Sequence, residues 1–193
     1  MLAWAESYEG QPFGALIIDP PYSSGGAMRS GRNQRTGLKS VRSDSKNRAL
    51  ADIAGDNPDQ RSFVAWCTLW LGAAWRLRKP GAVALVFIDW RQLPVMTEAI
   101  QVGGWVWPGV TPWSKTCGPS RPQRGRFRAQ CEYLVFATKG AHRPYDGAPC
   151  LDGMFEIAPP RRQTHITERP VELFRQVLPS RSSSTGRWPG VRS

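Results

Sequence analysis

The stretch Gly14-Ala-Leu-Ile-Ile-Asp19-Pro20-Pro21-Tyr22 decides the predicted fold. Its first part is a short apolar run that ends in an acidic residue. Because proline has no backbone N–H and cannot continue a hydrogen-bonded ladder, a strand over residues 14–19 must end at Pro20. A short apolar run that is bounded in this way is typical of a buried strand in a parallel sheet.

A helix and a second strand follow this first strand. Residues 60–79 carry apolar side chains at helical spacing, with Asp59 as a candidate N-cap. Pro80 and Gly81 are expected to end this helix. Residues 82–89 then form a second predicted buried strand. A strand, a helix and a strand in this order predict a right-handed parallel unit and therefore an α/β fold.

The rest of the chain alternates between patterned and irregular segments. We predict a helix over residues 93–102, a strand over residues 131–138 and a last short helix from about residue 168 to residue 178. Residues 105–113 are extended and aromatic, and core packing is the favoured role for most of their rings. Residues 141–164 are expected to be irregular.

The chain is strongly basic. Its 193 residues include 26 Lys+Arg and 15 Asp+Glu, which gives a formal net charge of +11. Such a surplus favours a polyanionic partner, and nucleic acid is the commonest one. Two irregular insertions, residues 23–59 and 118–130, concentrate the arginines. The candidate DNA-binding residues are Arg29, Arg32, Arg35, Arg121, Arg124, Arg126 and Arg128, although a solvated loop explains any single one of them equally well.

Several classes of protein are not indicated by the sequence. The longest apolar stretch, residues 63–75, is shorter than the roughly 18–20 residues that a membrane span needs. No basic segment followed by an apolar one marks the N-terminus, so a cytoplasmic location is expected. The 4 Cys form no C-x-x-C pair and only 2 His are present, so we expect no metal site and reduced thiols.

The chemistry of residues 19–22 suits a planar base with an exocyclic amino group. These residues follow a predicted strand, and open α/β sheets bind ligands at the carboxyl ends of their strands. The Asp19 carboxylate and the Pro20 carbonyl can each accept one amine hydrogen, Pro21 stiffens the turn, and Tyr22 offers a stacking surface. The alternative is a turn that ends a strand and contains an incidental tyrosine.

With this tetrapeptide, the chain resembles the amino-methylating DNA methyltransferases, which modify adenine N6 or cytosine N4 with S-adenosylmethionine. Three further segments carry the resemblance: Trp113-Ser-Lys115, Glu132-Tyr-Leu-Val-Phe with Lys139-Gly140, and His165-Ile-Thr-Glu-Arg-Pro-Val-Glu-Leu173. The last is similar to the family's His-Pro-Thr-Gln-Lys-Pro-x-Glu-Leu segment. The order of the motifs matches the subgroup in which D-P-P-Y comes first, and phage- or prophage-borne members look most similar.

The resemblance implies a Rossmann-like methyltransferase fold with a mostly parallel sheet. It also implies S-adenosylmethionine as the cofactor and double-stranded DNA as the partner, and it leaves a homodimer open. The implied catalytic residues are Asp19, Pro20, Pro21 and Tyr22, and the implied cofactor-binding residues are Asp19, His165, Thr167 and Arg169. Ile166, Glu168 and Arg169 stand where the family has Pro, Gln and Lys.

The C-terminal segment departs from the family pattern. The family continues into a strand and a glycine-rich turn, whereas residues 179–193 are rich in Ser and Arg and contain no acidic residue. We therefore expect a catalytic domain over residues 1–178 that is incomplete at its C-terminus, followed by a disordered or out-of-frame tail over residues 179–193.

The expected function is site-specific DNA methylation, as in restriction–modification systems, with adenine N6 favoured over cytosine N4. Two alternatives remain open at this point. One is a catalytically inactive, DNA-binding remnant of such an enzyme, and the other is an RNA methyltransferase. A protein amide methyltransferase is less favoured, because relatives that act on glutamine usually carry Asn in place of Asp19.

Overall fold

The computed structural model describes residues 2–21, 60–116, 124–125, 127–142, 150–160 and 168–177. Its helices are α1 (Leu2–Ser7), α2 (Gln60–Arg76), α3 (Leu93–Val102) and α4 (Val171–Val177). Its strands are β1 (Phe13–Ile18), β2 (Arg78–Ile88), β3 (Val106–Ser114), β4 (Cys131–Thr138) and β5 (Phe155–Glu156).

The five strands form one sheet in the order β1-β2-β4-β3-β5. β1 pairs with β2 in parallel, as predicted, with Ile18 opposite Val86. β4 pairs antiparallel with both β2 and β3, and β5 pairs in parallel with β3. The α/β class is confirmed, but the sheet is mixed where the sequence predicted a mostly parallel one. The physical reason is that an antiparallel pair needs no crossover helix, and none lies between β3 and β4 among the described residues.

The end of α2 also differs from the prediction. The helix was expected to continue to residue 79, but it ends at Arg76, and β2 begins at Arg78 opposite Phe13. Residues 79–81 therefore belong to β2, at a point where its register against β1 shifts. Gly81 has a φ of +76°, a conformation that glycine adopts at little steric cost. The Pro-Gly pair thus produces an irregularity in a strand rather than the end of a helix.

Apolar clusters cover both faces of the sheet. Val86 and Ile88 of β2 belong to a cluster that packs against α2 and α3. Phe87, between them, belongs to a second cluster that includes Leu173 and Val177 of α4. Because alternate residues of a strand point to opposite faces, β2 contributes to both clusters and is buried on both sides. α4 is thereby held on the face opposite to α2 and α3.

The aromatic segment, residues 105–113, forms most of β3 and contributes mainly to the core. Trp105 and Trp113 are buried, and the indole N–H of Trp105 donates a hydrogen bond of 3.0 Å to the carbonyl oxygen of Leu71. Trp107 is more exposed. The expectation that most of these rings pack in the core is therefore confirmed by Trp105 and Trp113.

Candidate active site

Four charged residues lie at one edge of the sheet. Asp19 follows β1, Asp89 follows β2 and Lys115 follows β3, whereas Glu132 lies near the start of β4. Because β4 runs antiparallel to β2 and β3, its amino end lies at the same edge as their carboxyl ends. This is the edge at which open α/β sheets bind their ligands.

Arg169, just before α4, joins two of these carboxylates. Its Nε donates to Oδ2 of Asp19 and its Nη2 donates to Oδ1, both at 3.0 Å. Its Nη1 forms an ion pair with Oε2 of Glu132. The planar fork of a guanidinium matches a carboxylate in this two-point arrangement and fixes its orientation. One side chain therefore links the end of β1 to the start of β4.

Two aromatic rings hold the same guanidinium. The Cζ of Arg169 lies 5.3 Å from the ring centroid of Phe87 and 5.5 Å from that of Trp113. Cations at such distances are attracted to the face of an aromatic ring. Trp113 is itself fixed, because its indole N–H donates a hydrogen bond of 2.8 Å to the carbonyl oxygen of Ile157. Together with the two carboxylates, these rings surround the Arg169 side chain, which is only 8% exposed. The contacting residues lie in three neighbouring strands and directly after a fourth.

Lys115 extends the arrangement. Its Nζ forms an ion pair with Oε1 of Glu132 and lies 5.3 Å from the ring centroid of Trp113. Glu132 therefore contacts a cation with each of its two oxygens. Asp19, Arg169, Glu132 and Lys115 form a row of alternating charge, which we call the charged network.

The electrostatic environment of Asp19 contains opposing influences. Burial is the largest of them and raises the pKa of Asp19, and the negative charge of Glu132 raises it further. The ion pair and hydrogen bonds from Arg169 lower the pKa, as does Lys115, but the net effect is a raised pKa. The side chain is 30% exposed, so the carboxylate can still meet a ligand. A titratable group with a perturbed pKa at a sheet edge is a candidate functional group.

The prolines after Asp19 fix the backbone at this edge. Pro20 is buried and Pro21 is half-buried. The described part of this segment ends there, so Tyr22 and its predicted stacking role lie outside the described residues. The structure thus brings the carboxylate and the rigid double-proline turn to the predicted edge.

Asp89, at the end of β2, has a structural role. Its Oδ1 accepts hydrogen bonds of 3.0 Å from the backbone N–H groups of Arg91 and Gln92, and its Oδ2 accepts one of 2.8 Å from Nε of Arg91. Side-chain bonds to nearby backbone groups of this kind stabilise turns. Asp89 therefore holds the turn between β2 and α3.

Two of the candidate DNA-binding arginines lie among the described residues. Arg124 and Arg128 are described and exposed, and they flank the fully exposed Phe127. The remaining predicted residues lie outside the described ones, namely His165, Thr167, Arg29, Arg32, Arg35, Arg121 and Arg126. The predicted roles of these residues in cofactor and DNA binding stay predictions.

The sequence analysis did not predict four members of the site, namely Trp113, Lys115, Glu132 and Phe87. Lys115 and Glu132 lie in the segments that carry the family resemblance, and this was the available signal. Phe87 gave no signal beyond its place in an apolar strand. Its contact with Arg169 depends on where α4 packs, which no local pattern specifies.

The described residues contain neither a membrane-spanning helix nor a metal-binding group. No helix among them is long and apolar enough to cross a membrane. No group of three or more His, Cys, Asp or Glu side chains that could hold a metal ion occurs in the same part of the chain.

A carboxylate held at the ligand-binding edge of an α/β sheet, directly before two prolines, is the arrangement expected of an amino-methyltransferase. The model of the N6/N4 family, described as DNA methylase, matches residues 14–186. The chain belongs to the N6/N4 DNA methylase family and is by family a methyltransferase. The match extends past residue 178, which was the predicted boundary of the domain.

Solved structures support the same fold. The complex of M1.HpyAVI with S-adenosylmethionine aligns with a TM-score of 0.57 at 13% identity, over 92% of this chain and 71% of that one. TTHA0409 from Thermus thermophilus, assigned as a DNA modification methylase, aligns with a TM-score of 0.57 at 12% identity, over 91% and 69%. The predicted methyltransferase fold is therefore confirmed. Comparison with curated proteins gave no significant match.

Proposed function

We propose that the protein transfers a methyl group from S-adenosylmethionine to an exocyclic base amine of double-stranded DNA, with adenine N6 favoured over cytosine N4. The observation that carries the proposal is the Asp19 carboxylate, which is partly exposed at the sheet edge and oriented by two hydrogen bonds of 3.0 Å. Family membership supplies the class of reaction. The preference for adenine rests on the resemblance, because Asp at the first position of the tetrapeptide leans toward that base.

The proposed mechanism relies on positioning. A base amine is a poor nucleophile because its lone pair is delocalised into the ring. The Asp19 carboxylate accepts one amine hydrogen and the Pro20 carbonyl accepts the other, so that a pyramidal nitrogen able to attack the methyl group is favoured. Groups that are held in place before the reaction lower the barrier without reorganising during it. The new N–C bond would form as the C–S bond to the sulfonium breaks, with S-adenosylhomocysteine as the leaving group, and the amine proton would then pass to solvent.

Asp19 and Arg169 carry charges that suit the proposed cofactor. S-adenosylmethionine supplies an electrophilic methyl group, and its amino-acid end carries both a positive and a negative charge. The Asp19 carboxylate is an acceptor suited to the positively charged amino group. The guanidinium of Arg169 is a donor suited to the negatively charged carboxylate. Asp19, His165, Thr167 and Arg169 are the proposed cofactor-binding residues.

The proposed DNA partner is supported by charge. The chain has a formal net charge of +11, and Arg124 and Arg128 are exposed beside the exposed ring of Phe127. A target base in a duplex must be flipped out of the stack before its amine can reach Asp19. The cellular setting that we propose is a cytoplasmic restriction–modification system of phage or prophage origin.

The test is to incubate the protein with unmethylated genomic DNA and isotopically labelled S-adenosylmethionine, and then to analyse the released nucleosides by mass spectrometry. We expect labelled N6-methyladenine, whereas labelled N4-methylcytosine would overturn the choice of base. If RNA is added as a competitor and the label is found in RNA, the protein is an RNA methyltransferase. A salt-sensitive gel shift without any label would favour an inactive DNA-binding remnant.

A further inference from the structure

We propose that Arg169 is a positioning residue for the acceptor carboxylate of Asp19. It aims both oxygens of that carboxylate, and its positive charge favours the ionised form, while Glu132 holds the guanidinium in place. This inference rests on the proposed function, since it requires that Asp19 contact the substrate amine.

The geometry supports the positioning role. Two hydrogen bonds of 3.0 Å, from Nε and Nη2, reach the two oxygens of Asp19 and so fix the rotation of the carboxylate. The aromatic rings of Phe87 and Trp113 lie 5.3 and 5.5 Å from Cζ of the same guanidinium. A lysine at this position would keep the charge but would lose the planar, two-point contact.

The ion pair between Arg169 and Asp19 leaves acceptor sites on the carboxylate for a substrate. An ionised carboxylate offers about four lone-pair sites, and the two bonds from Arg169 use one on each oxygen. An amine hydrogen can therefore be accepted by Asp19 while the ion pair stays intact. Since the Asp19 side chain is 30% exposed, a base can approach it at the edge of the sheet.

The charge of Arg169 also affects the ionisation of Asp19. Among the described residues, the charged groups that act on Asp19 are Arg169, Glu132 and Lys115. Burial and Glu132 raise the pKa of Asp19, and Arg169 is the larger of the two cationic influences that oppose them. Without Arg169, the carboxyl would become protonated at a higher pH and would lose an acceptor site.

The test compares Arg169→Gln and Arg169→Lys with the wild type. Arg175→Gln serves as the control, because Arg175 is an exposed arginine of α4 that pairs with Glu172. The first measurement is the pKa of Asp19 by carbon-13 NMR, which requires no activity. We expect a higher pKa in Arg169→Gln and values close to the wild type in Arg169→Lys and Arg175→Gln.

The second measurement is the pH profile of methyl transfer to DNA. We expect the acidic limb to move to higher pH in Arg169→Gln. In Arg169→Lys the limb should stay in place, and the plateau rate should fall by about 10- to 100-fold because the carboxylate is no longer aimed. A lysine variant with the full rate at every pH would overturn the inference, even if Arg169→Gln does not fold.

The outcomes separate this inference from the proposed function. If the pKa of Asp19 is unchanged in a folded Arg169→Gln variant, the inference is wrong whether or not the protein methylates DNA. If the pKa moves as expected but no nucleic acid is methylated, the proposed function fails and the electrostatic role of Arg169 stands. An arginine that only holds the cofactor would weaken S-adenosylmethionine binding in calorimetry and leave the pKa of Asp19 unchanged, which would also overturn the inference.

Discussion

Arg169 donates two hydrogen bonds of 3.0 Å to the carboxylate of Asp19, a residue 150 positions earlier in the chain. The segment before α4 thereby closes onto the end of β1, across β2, β4 and β3. Both residues belong to segments that carry the resemblance to the methyltransferase family. The contact between them brings two distant segments of the chain together at one edge of the sheet.

Replacing Glu132 should destabilise the protein. Glu132→Gln removes the charge that pairs with both Arg169 and Lys115 and leaves two cations close together in a largely buried place. We expect a loss of about 1–3 kcal/mol in the free energy of unfolding, measured by urea denaturation. Glu98→Gln, on the exposed face of α3, should stay within about 0.5 kcal/mol of the wild type. Equal stabilities for the two variants would contradict the role of the charged network.

The packing of α4 can be tested by a core truncation. Leu173 is fully buried in the cluster with Phe87 and Trp113, whereas Val171 on the same helix is 65% exposed. Leu173→Ala should cost about 2–5 kcal/mol of unfolding free energy, because it removes buried apolar atoms and leaves a cavity. Val171→Ala should have little effect in the same denaturation experiment. A mild effect of Leu173→Ala would mean that α4 does not dock as described.

Because its thiol is buried, Cys67 should cause the free energy of unfolding to decrease in alkaline solution. Burial raises the pKa of its thiol to about 12, from an ordinary value of about 9. An acid whose pKa is raised by folding contributes stability that is complete below its unfolded pKa and is lost as the pH rises toward its folded pKa. The free energy of unfolding should therefore fall by up to about 1.4 kcal/mol per pH unit between about pH 9 and pH 12. Cys67→Ala should flatten this slope, and an identical slope in both proteins would argue against a buried thiol.

The second basic segment should govern the salt dependence of DNA binding. Replacing Arg121, Arg124, Arg126 and Arg128 together by Ala should flatten the plot of log affinity against log salt, by about 0.9 for each DNA phosphate that the variant no longer neutralises. Arg175→Ala, a single exposed arginine of α4, serves as the control and should leave the slope nearly unchanged. If the quadruple variant kept the wild-type slope, this segment would not be part of the DNA interface.

Local sequence patterns predicted the individual elements well. Predicted and observed bounds coincide for α3 and β4, and β1 differs from its predicted range by one residue at each end. These segments are apolar runs or carry apolar residues at helical spacing, and a Gly or Pro lies near at least one end of each, so local chemistry defines them. α1 and β5 are short and gave no such signal, and they were missed.

The pairing of the strands and the neighbours of Arg169 could not be predicted in the same way. An apolar strand that is buried on both faces carries no mark of the direction of its partner, so the antiparallel pairing of β4 was not foreseen. The position of Asp19 after β1 could be predicted because the two prolines that end the strand directly follow it in the sequence. Phe87 joined the site only through tertiary packing, which brings Arg169 across the sheet.

The central claim is that the Asp19 carboxylate receives the amine that is methylated. Its most direct test is the rate of methyl transfer to DNA for Asp19→Ala beside the matched variant Glu98→Ala, with DNA affinity measured in parallel. We expect Asp19→Ala to lose at least about 100-fold in rate at unchanged DNA affinity, as when a preorganised hydrogen-bonding group is removed from an active site. A rate for Asp19→Ala within about tenfold of the wild type would contradict the claim.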